Sequence, residues 1–367
     1  MVKIWYSVQG DGMGHAARSH SIMQHLSKEH ELFITTTQIK PYNFLKSKYG
    51  DCVHLIEGDI LAYEDNEVKF AKMLKDFFKT LPKKSKNNFF TLIKLVHKYN
   101  PDIIISDFEP AADYFSKLFK IPSVSIDNVH ILSECKVKFA SGSKHKIASA
   151  RTVIKALHPK TDYFIIPSFA DVIIKKPKTT FLVKPILREE VFSIKSTQKD
   201  FVLVYQTTDT NKKMLSVLKN TKNNYKIYGM GIQPKDKNLE FFEFNDRVFL
   251  KHLSEAKYVV VNGGFTVISE AIYLKKPILA VPIKKQYEQE FNGFSLRDRG
   301  FGDYSFDLIN FDFDEFEKKL PFYRDNLQKY GLWTNDRVFV LLDKLINKMI
   351  KNKPNYKVID LLIKNEV

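Results

Sequence analysis

Cysteine is nearly missing from this chain: Cys52 and Cys135 are the only two in 367 residues, with no paired spacing and no motif around either. That excludes a disulfide framework and a cysteine metal centre, and it fits a reducing compartment. Long apolar runs are missing too, since no stretch approaches the roughly 18 apolar residues that a membrane-spanning helix needs. No signal pattern stands at the start, because Met1 leads directly into strand-like Ile4-Trp5-Tyr6-Ser7-Val8. A cytoplasmic protein is the expectation. Acids are in deficit, with 42 Asp+Glu against 58 Lys+Arg, a net charge of +16. The excess is uneven: residues 1–187 hold 28 basic against 18 acidic residues, and the remainder 30 against 24. A basic surface attracts nucleic acid, anionic membrane or phosphorylated ligands, and charge alone does not choose among them. Lysine dominates without an arginine-rich stripe, and no recognition module is readable, so no nucleic-acid partner is expected.

A hydrophobic content of 44% with 27% charged residues describes a globular protein, and the length asks for two domains. Residues 2–8 read as a strand, Gly10-Asp11-Gly12-Met13-Gly14-His15 as a glycine-rich turn, and Ala16 to Lys28 as a helix with Ser19, Ile22, Met23 and Leu26 on one face. Leu32 to Thr37 is a second strand, which completes the opening βαβ unit of a doubly wound domain. A dinucleotide site does not fit. The glycines run G-x-G-x-G, and the second strand ends in Thr35-Thr36-Thr37, where an acid for the ribose belongs. Nor does a helical metal cluster fit. His15, His20, His25 and His30 are five residues apart, so successive side chains turn by about 140° around a helix and cannot share a face.

Residues 53–57 read as a strand, and 66–98 as two helical patterns broken at Leu81-Pro82. The nine lysines from Lys69 to Lys98 face the single acid Asp76, interleaved with aromatics. Such a segment lies on an anionic membrane surface or packs its apolar side inward. Pro101 to Ser106 is an apolar strand running into Asp107 and Glu109. In open parallel sheets ligands bind beyond the strand C-termini, so Asp107 and the Gly12–His15 turn are candidates to meet at one crevice. Pro122 to Asp127 is another strand, and residues 135–160 form a basic loop and helix with seven Lys/Arg and no acid. Tyr163–Pro167 and Thr179–Val183 close the first half, and Lys184 to Glu190 is the linker. A second βα series follows, with strands at Phe201–Tyr205, Lys226–Gly231, Val248–Leu250 and Pro277–Ile283. The expected domains are 1–187, 188–335 and a C-terminal helical segment 336–367 returning to the first domain, an α/β architecture of two Rossmann-like halves.

Tyr258 to Val261 reads as a buried strand, Gly263-Gly264 as a turn, and a helix opens near Thr266. Such a turn aims backbone N–H groups and the positive end of a helix dipole at one spot, which suits a phosphate. Glu270 stands one turn in, where a carboxylate meets a sugar hydroxyl. The same pattern also describes an ordinary βα corner.

Four motifs together resemble a known family: Gly10 to Ser19, Asp107-Phe108-Glu109-Pro110, Asn262 to Glu270, and Pro282 to Asn292. The chain resembles GT-B glycosyltransferases, related to the lipid-linked N-acetylglucosaminyltransferase of peptidoglycan synthesis and to UDP-glucuronosyl- and plant UDP-glycosyltransferases. It is most similar to a bacterial and archaeal branch of glycosyltransferases, and the resemblance covers most of residues 1–305. It implies two Rossmann-like domains facing across a cleft, the second holding a nucleotide-sugar, with a UDP-sugar expected, and the first an acceptor. By resemblance Glu270 takes the donor ribose. Gly263, Gly264, Phe265 and Thr266, with Thr207 and Thr208, meet the diphosphate. Gln289, with Glu288 or Glu290, holds the sugar hydroxyls. Asn262 stands where plant relatives carry a histidine.

The implied chemistry is displacement at the anomeric carbon of a hexose or N-acetylhexosamine. His15 is the candidate base, since imidazole titrates near neutral pH. Asp107 resembles the acid that orients that base, with Asp11 and Glu109 as rivals. Gly12 and Gly14 stand on the acceptor side. No D-x-D sequence stands where it would hold the diphosphate, so neither metal nor other cofactor is expected, and a single direct attack inverts the anomeric configuration. The acceptor expected is a hydroxyl, lipid-linked or on an envelope glycan, with residues 66–98 touching the inner membrane face. Two other functions fit less of the chain: a UDP-N-acetylglucosamine 2-epimerase on the same fold, and a basic nucleic-acid-binding protein.

Overall fold

Each half of the chain opens on a short apolar run, Ile4 to Val8 and Phe201 to Val204, that is buried on both faces. Near-continuous apolar runs of this kind form the central strands of parallel sheets covered by helices on both sides. The computed structural model describes residues 1–57, 88–138, 144–158, 161–207 and 212–351, with short strands at 63–64 and 67–68. Its first half places β1 (Lys3–Val8), β2 (Glu31–Thr36) and β3 (Val53–Leu55) in sequence. An antiparallel pair follows, β4 (Tyr63–Glu64) with β5 (Glu67–Val68). The chain then adds β6 (Ile103–Asp107), β7 (Ser123–Ile126), β8 (Cys135–Lys136), β9 (Tyr163–Pro167), β10 (Ile173–Ile174) and β11 (Thr180–Val183). Seven of these form one parallel sheet in the order β11-β9-β7-β6-β1-β2-β3, while β8 and β10 pair separately. The second half builds a six-stranded parallel sheet from β12 (Val202–Tyr205), β13 (Tyr225–Tyr228), β14 (Leu239–Phe242), β15 (Val259–Val261), β16 (Ile278–Ala280) and β17 (Gly302–Tyr304), in the order β14-β13-β12-β15-β16-β17. The fold is α/β and GT-B-like, with two Rossmann-like doubly wound sheets.

Helices cover both faces of each sheet. The helix α1 (Met13–Leu26) buries Ala16, Ile22, Met23 and Leu26 against β1, in a core that also takes Val338, Leu342, Leu345, Ile346 and Met349 from the C-terminal helix Asp336–Met349. His25 stacks on Phe339 and lies 2.9 Å from Asp343, which fixes that helix against α1. The opposite face packs Trp5, Phe33 and Phe115 with Leu92, Ile93 and Val96 of the helix at 88–99. Within the segment read as helical from residue 66, residues 67–68 pair as a strand with 63–64. The bulk of its lysine run lies outside the described residues. No described helix is long and apolar enough to cross a membrane.

The strand expected at Val248–Leu250 is a helix instead. Asn245 caps Asp246–Glu255 by accepting from the Val248 amide at 3.1 Å, and Phe249, Leu250 and Leu253 recur at helical spacing toward the core. An N-cap followed by i, i+1, i+4 burial outweighs the β-propensity of Val-Phe-Leu. The strand of that region is Leu239–Phe242. The linker is anchored from the far end of the chain. Asn335 accepts from the Leu187 amide and donates to the Leu187 carbonyl, and the Trp333 indole donates to the Pro185 carbonyl at 2.7 Å.

Candidate active site

Each sheet reverses direction once. The chain winds outward from β1 to β2 and β3, then returns to add β6 beside β1; likewise β12 leads to β13 and β14 before β15 returns beside β12. Loops at the two reversals splay apart and leave a crevice at the strand C-termini. In the first sheet Val8 of β1 is level with Asp107 of β6. In the second Tyr205 of β12 is level with Val261 of β15. The loops beyond these four residues carry the candidate residues, and the two crevices face one another. The Thr266 hydroxyl donates to the Gly14 carbonyl across the gap at 3.2 Å.

On the first side Gly12 caps α1 with φ of 85°, a left-handed conformation that suits glycine, and this places His15 in the opening turn of the helix. His15 Nδ1 lies 2.8 Å from Asp107 Oδ1. Asp107 is fully buried and also accepts from the Ser19 hydroxyl at 2.8 Å, from Arg18 Nε at 3.2 Å and from Arg18 Nη2. Burial alone pushes the Asp107 carboxyl up; Arg18 and His15 together outweigh that and hold it below the ordinary carboxylate range. Arg18 is itself 2% exposed and has a further partner, donating from Nη1 to Asn128 Oδ1 at 2.9 Å. Asn128 Nδ2 in turn donates to Glu288 Oε1 in the second half at 2.7 Å, and Asn292 donates to the same oxygen at 2.9 Å. Burial raises the Glu288 carboxyl above its ordinary value. A continuous chain of hydrogen bonds thus joins Asp107 to the first turn of the helix Tyr287–Asp298.

On the second side the helix α2 (Phe265–Tyr273) is capped by Gly264, just beyond β15. Gly263 has φ of 97°, and a Cβ there would come within 3.0 Å of the Gln289 carbonyl, so the close turn depends on glycine. Asn262 is buried and works within the protein. Its Oδ1 accepts from the Thr207 amide at 2.7 Å and the Thr207 hydroxyl at 3.2 Å, and its Nδ2 donates to Gln206 at 2.7 Å. It ties the loop after β12 to the loop after β15. Glu270 is fully buried, and Arg188 grips both of its oxygens, from Nε at 2.7 Å and Nη2 at 3.0 Å. A third Arg188 bond runs from Nη1 to Asp246 Oδ1 at 2.6 Å.

The two sides enclose a cavity of about 750 Å³, within the size range of small-molecule sites. His15, Arg18 and Asn128 form its wall on one side, and Thr207, Gly264, Thr266, Glu288 and Gln289 on the other. The description "Glycosyl transferase family 1" matches residues 2–321. The chain belongs to that family. An "Uncharacterized glycosyltransferase" of Methanosarcina mazei is 22% identical over 330 residues, covering 82% of this chain and 85% of that protein. One from Methanosarcina acetivorans is 23% identical over 335 residues, covering 82% and 85%. Among solved structures, a UDP-glucosyltransferase from Polygonum tinctorium superposes with a TM-score of 0.62 at 11% identity, covering 96% of this chain and 99% of that one. Phytolacca americana UGT2, complexed with UDP-2fluoro-glucose and pterostilbene, superposes with a TM-score of 0.60 at 11% identity, covering 95% and 100%. These likenesses place the chain in the GT-B fold.

In this glycosyltransferase the cavity gathers most of the residues singled out in the sequence, namely Asp11, Gly12, Gly14, His15, Thr207, Gly264, Phe265, Thr266, Glu288 and Gln289. Asp107 stands directly behind His15. Several others stand elsewhere. Glu109 caps the helix Pro110–Phe119, accepting from the Ala111 and Ala112 amides and from the Ser7 hydroxyl, so its carboxylate serves the fold rather than the cavity. Glu290 Oε1 accepts from the Lys285 amide at 3.2 Å, and Glu290 forms no part of the wall. Asn262, Gly263 and Glu270 lie behind the wall. Thr208 lies outside the described residues. Reading the sequence missed Arg18, Asn128, Arg188, Asp246 and the half-exposed Phe244, all of which line the cavity. Arg18 stands inside the first motif, and its helix face was legible, but a buried arginine reads from sequence as an exposed one. Arg188 stands in a stretch that reads only as linker.

Proposed function

We propose that this glycosyltransferase moves a hexose or N-acetylhexosamine from a UDP-sugar to a hydroxyl acceptor, with inversion at the anomeric carbon. One observation carries the reading: His15, backed by Asp107, stands in the same cavity as the N-terminus of α2, with Gly14 and Thr266 in contact between them. With Nδ1–H donated to Asp107, His15 Nε2 is the free basic atom that takes the proton from the acceptor hydroxyl. The developing negative charge on the diphosphate falls to the amides of Gly264 to Thr266, the helix dipole, and the hydroxyls of Thr207 and Thr266. Phe244 offers a half-exposed ring for the nucleobase, since every base has a face to stack. Glu288 and Gln289 face the sugar, and Glu270 serves the donor through Arg188. Met13, His20, Phe44 and Lys48 line the same cavity on the first-domain side, and the acceptor enters beside them. A lipid- or envelope-linked acceptor rests on the lysine run from Lys69 to Lys98 alone, and flotation with anionic vesicles tests it.

A panel of nucleotide-sugars followed by thermal unfolding tests the donor reading, because a ligand that binds only the native state raises its stability by mass action. UDP-sugars are expected to raise the melting temperature at concentrations where free hexoses and N-acetylhexosamines do not. A response to none of them removes the reading.

A further inference from the structure

The helices Pro110–Phe119 and Lys144–Leu157 lie side by side on one face of the first sheet. Phe115 of the first shares a core with Ile104, and Ile154 of the second shares one with Phe164. Ile104 is level with Ser123, and Phe164 with Ser125, so both point to the same side of the sheet. The Tyr114 hydroxyl donates to the Ala156 carbonyl at 2.6 Å and ties the two helices together. Their outer surfaces carry large apolar side chains. Tyr114 and Leu118, at i and i+4, are 50% and 59% exposed, and Val153 and Leu157, also at i and i+4, are each 37% exposed. Apolar side chains gathered in this way, rather than scattered singly, mark an interaction surface.

The charge around them has one sign. The two helices hold a single acid, Asp113, which is 1% exposed and lies 2.7 Å from His158 Nδ1. Lys117 and Lys155 are exposed on the same two helices, and Lys120 is exposed at the end of the first. At one edge Asp162 is engaged, accepting from the Ser123 amide at 3.0 Å. At the other, Glu134, Arg151 and Lys155 all stand near Lys175, so that edge too is net positive. A lipid bilayer with anionic headgroups meets both features. Its boundary between headgroups and acyl chains takes the apolar side chains, and its negative surface potential draws the lysines. Nucleic acid would meet the lysines and leave four apolar side chains against phosphate. A second copy of the chain would set lysine against lysine.

We propose that the outer face of these two helices docks the protein on bilayers that carry anionic lipid. The first helix begins three residues beyond Asp107, so the half that carries His15 is the half held at the surface. The proposal does not depend on the donor reading, and the face is separate in the chain from the lysine run Lys69 to Lys98.

Flotation with vesicles of phosphatidylcholine, with and without phosphatidylglycerol, tests it on the full chain. Three variants are compared with the wild type: Leu118→Gln with Val153→Gln, Lys117→Gln with Lys155→Gln, and Lys69, Lys72, Lys75 and Lys79 each changed to Gln. The wild type is expected to float with phosphatidylglycerol and to stay down with phosphatidylcholine alone, and added salt should weaken its binding. Loss of two lysines at the surface should lower the partition constant by about tenfold or more. The apolar pair should lower it by a similar factor. Both pairs are exposed, so their melting temperatures should match the wild type, which separates lost docking from lost folding. Wild-type binding in the Leu118→Gln, Val153→Gln variant overturns the proposal, and loss confined to the variant at residues 69–79 assigns the binding to that segment instead. A wild type that does not float, or floats equally on phosphatidylcholine alone, overturns it as well. So does an oligonucleotide bound in place of vesicles through Lys117 and Lys155, or a dimer in solution that the Leu118→Gln, Val153→Gln variant breaks.

Discussion

Replacing Asp107 by Asn should destabilise the first sheet far more than a surface charge change does. Asp107 has no exposed surface and accepts from four side-chain donors: His15 Nδ1, the Ser19 hydroxyl, and two nitrogens of Arg18. The Asn variant removes the negative charge and turns one acceptor into a donor facing Arg18, which is 2% exposed and has nowhere to solvate. Breaking a buried pair on one side costs about 3–5 kcal/mol, because the other charge is left uncompensated. Arg18→Met should cost a similar amount from the other side. The double variant removes both charges, so its loss should be smaller than the sum, with a coupling of about 2 kcal/mol or more. Urea unfolding followed by tryptophan fluorescence measures this in a Trp333→Phe background. Trp333 belongs to the core of the second sheet, and Trp5, buried in the first, then reports alone. The acid arm of the curve carries a second signature. The folded Asp107 pKa is depressed, so its contribution is present above the unfolded value of about 3.9 and is lost as pH falls through the folded one. Losses under about 1 kcal/mol in Asp107→Asn, or additivity in the double variant, would refute the buried-pair reasoning.

Gly263→Ala should cost about 1–3 kcal/mol in urea unfolding, since the added Cβ meets the Gln289 carbonyl at 3.0 Å and φ is 97°; a wild-type midpoint would mean the turn relaxes freely. Asn128→Ala removes the bridge between Arg18 and Glu288. Turnover should fall about tenfold or more with nucleoside diphosphate affinity unchanged, and steady-state kinetics beside calorimetry separates the two. Burial alone pushes His130 down, but Asp127, 2.6 Å away, outweighs it and raises the imidazole above its ordinary value. Its contribution to stability is therefore full below about pH 6.5 and falls as pH rises through the folded value. Denaturation midpoints of His130→Gln should be flatter than wild type on that alkaline side, and parallel curves would contradict the assignment.

Much of this architecture is legible in the sequence because its signals are local. Ile103 to Asp107 is a continuous apolar run ending in an acid, and only a buried parallel strand satisfies it. The glycine turn before Phe265 marks a strand-to-helix corner for the same reason. The misread element, Val248–Leu250, failed because three apolar residues carry no period, while the decisive cap stands upstream at Asn245. The site was legible where one residue suffices and illegible where two distant ones act together. His15 and Asp107 stand 92 positions apart, and β1–β6 pairing brings them together. Glu270 was found as a motif residue, but its enclosure by Arg188, 82 positions earlier, depends on how the linker crosses the second sheet. Glu109 looked like a rival to Asp107 because both follow the same strand; the local backbone turns it back to cap the next helix.

The central claim is that His15 removes a proton in a reaction whose donor is held across the cavity. Release of nucleoside diphosphate from the best-bound nucleotide-sugar, with cell extract supplying acceptors, measures it in wild type and His15→Ala, beside the dissociation constant of the same donor. The account predicts a rate lower by about 10²-fold or more, with donor affinity within about twofold of wild type because His15 lies on the acceptor wall. A near-wild-type rate in His15→Ala would contradict it.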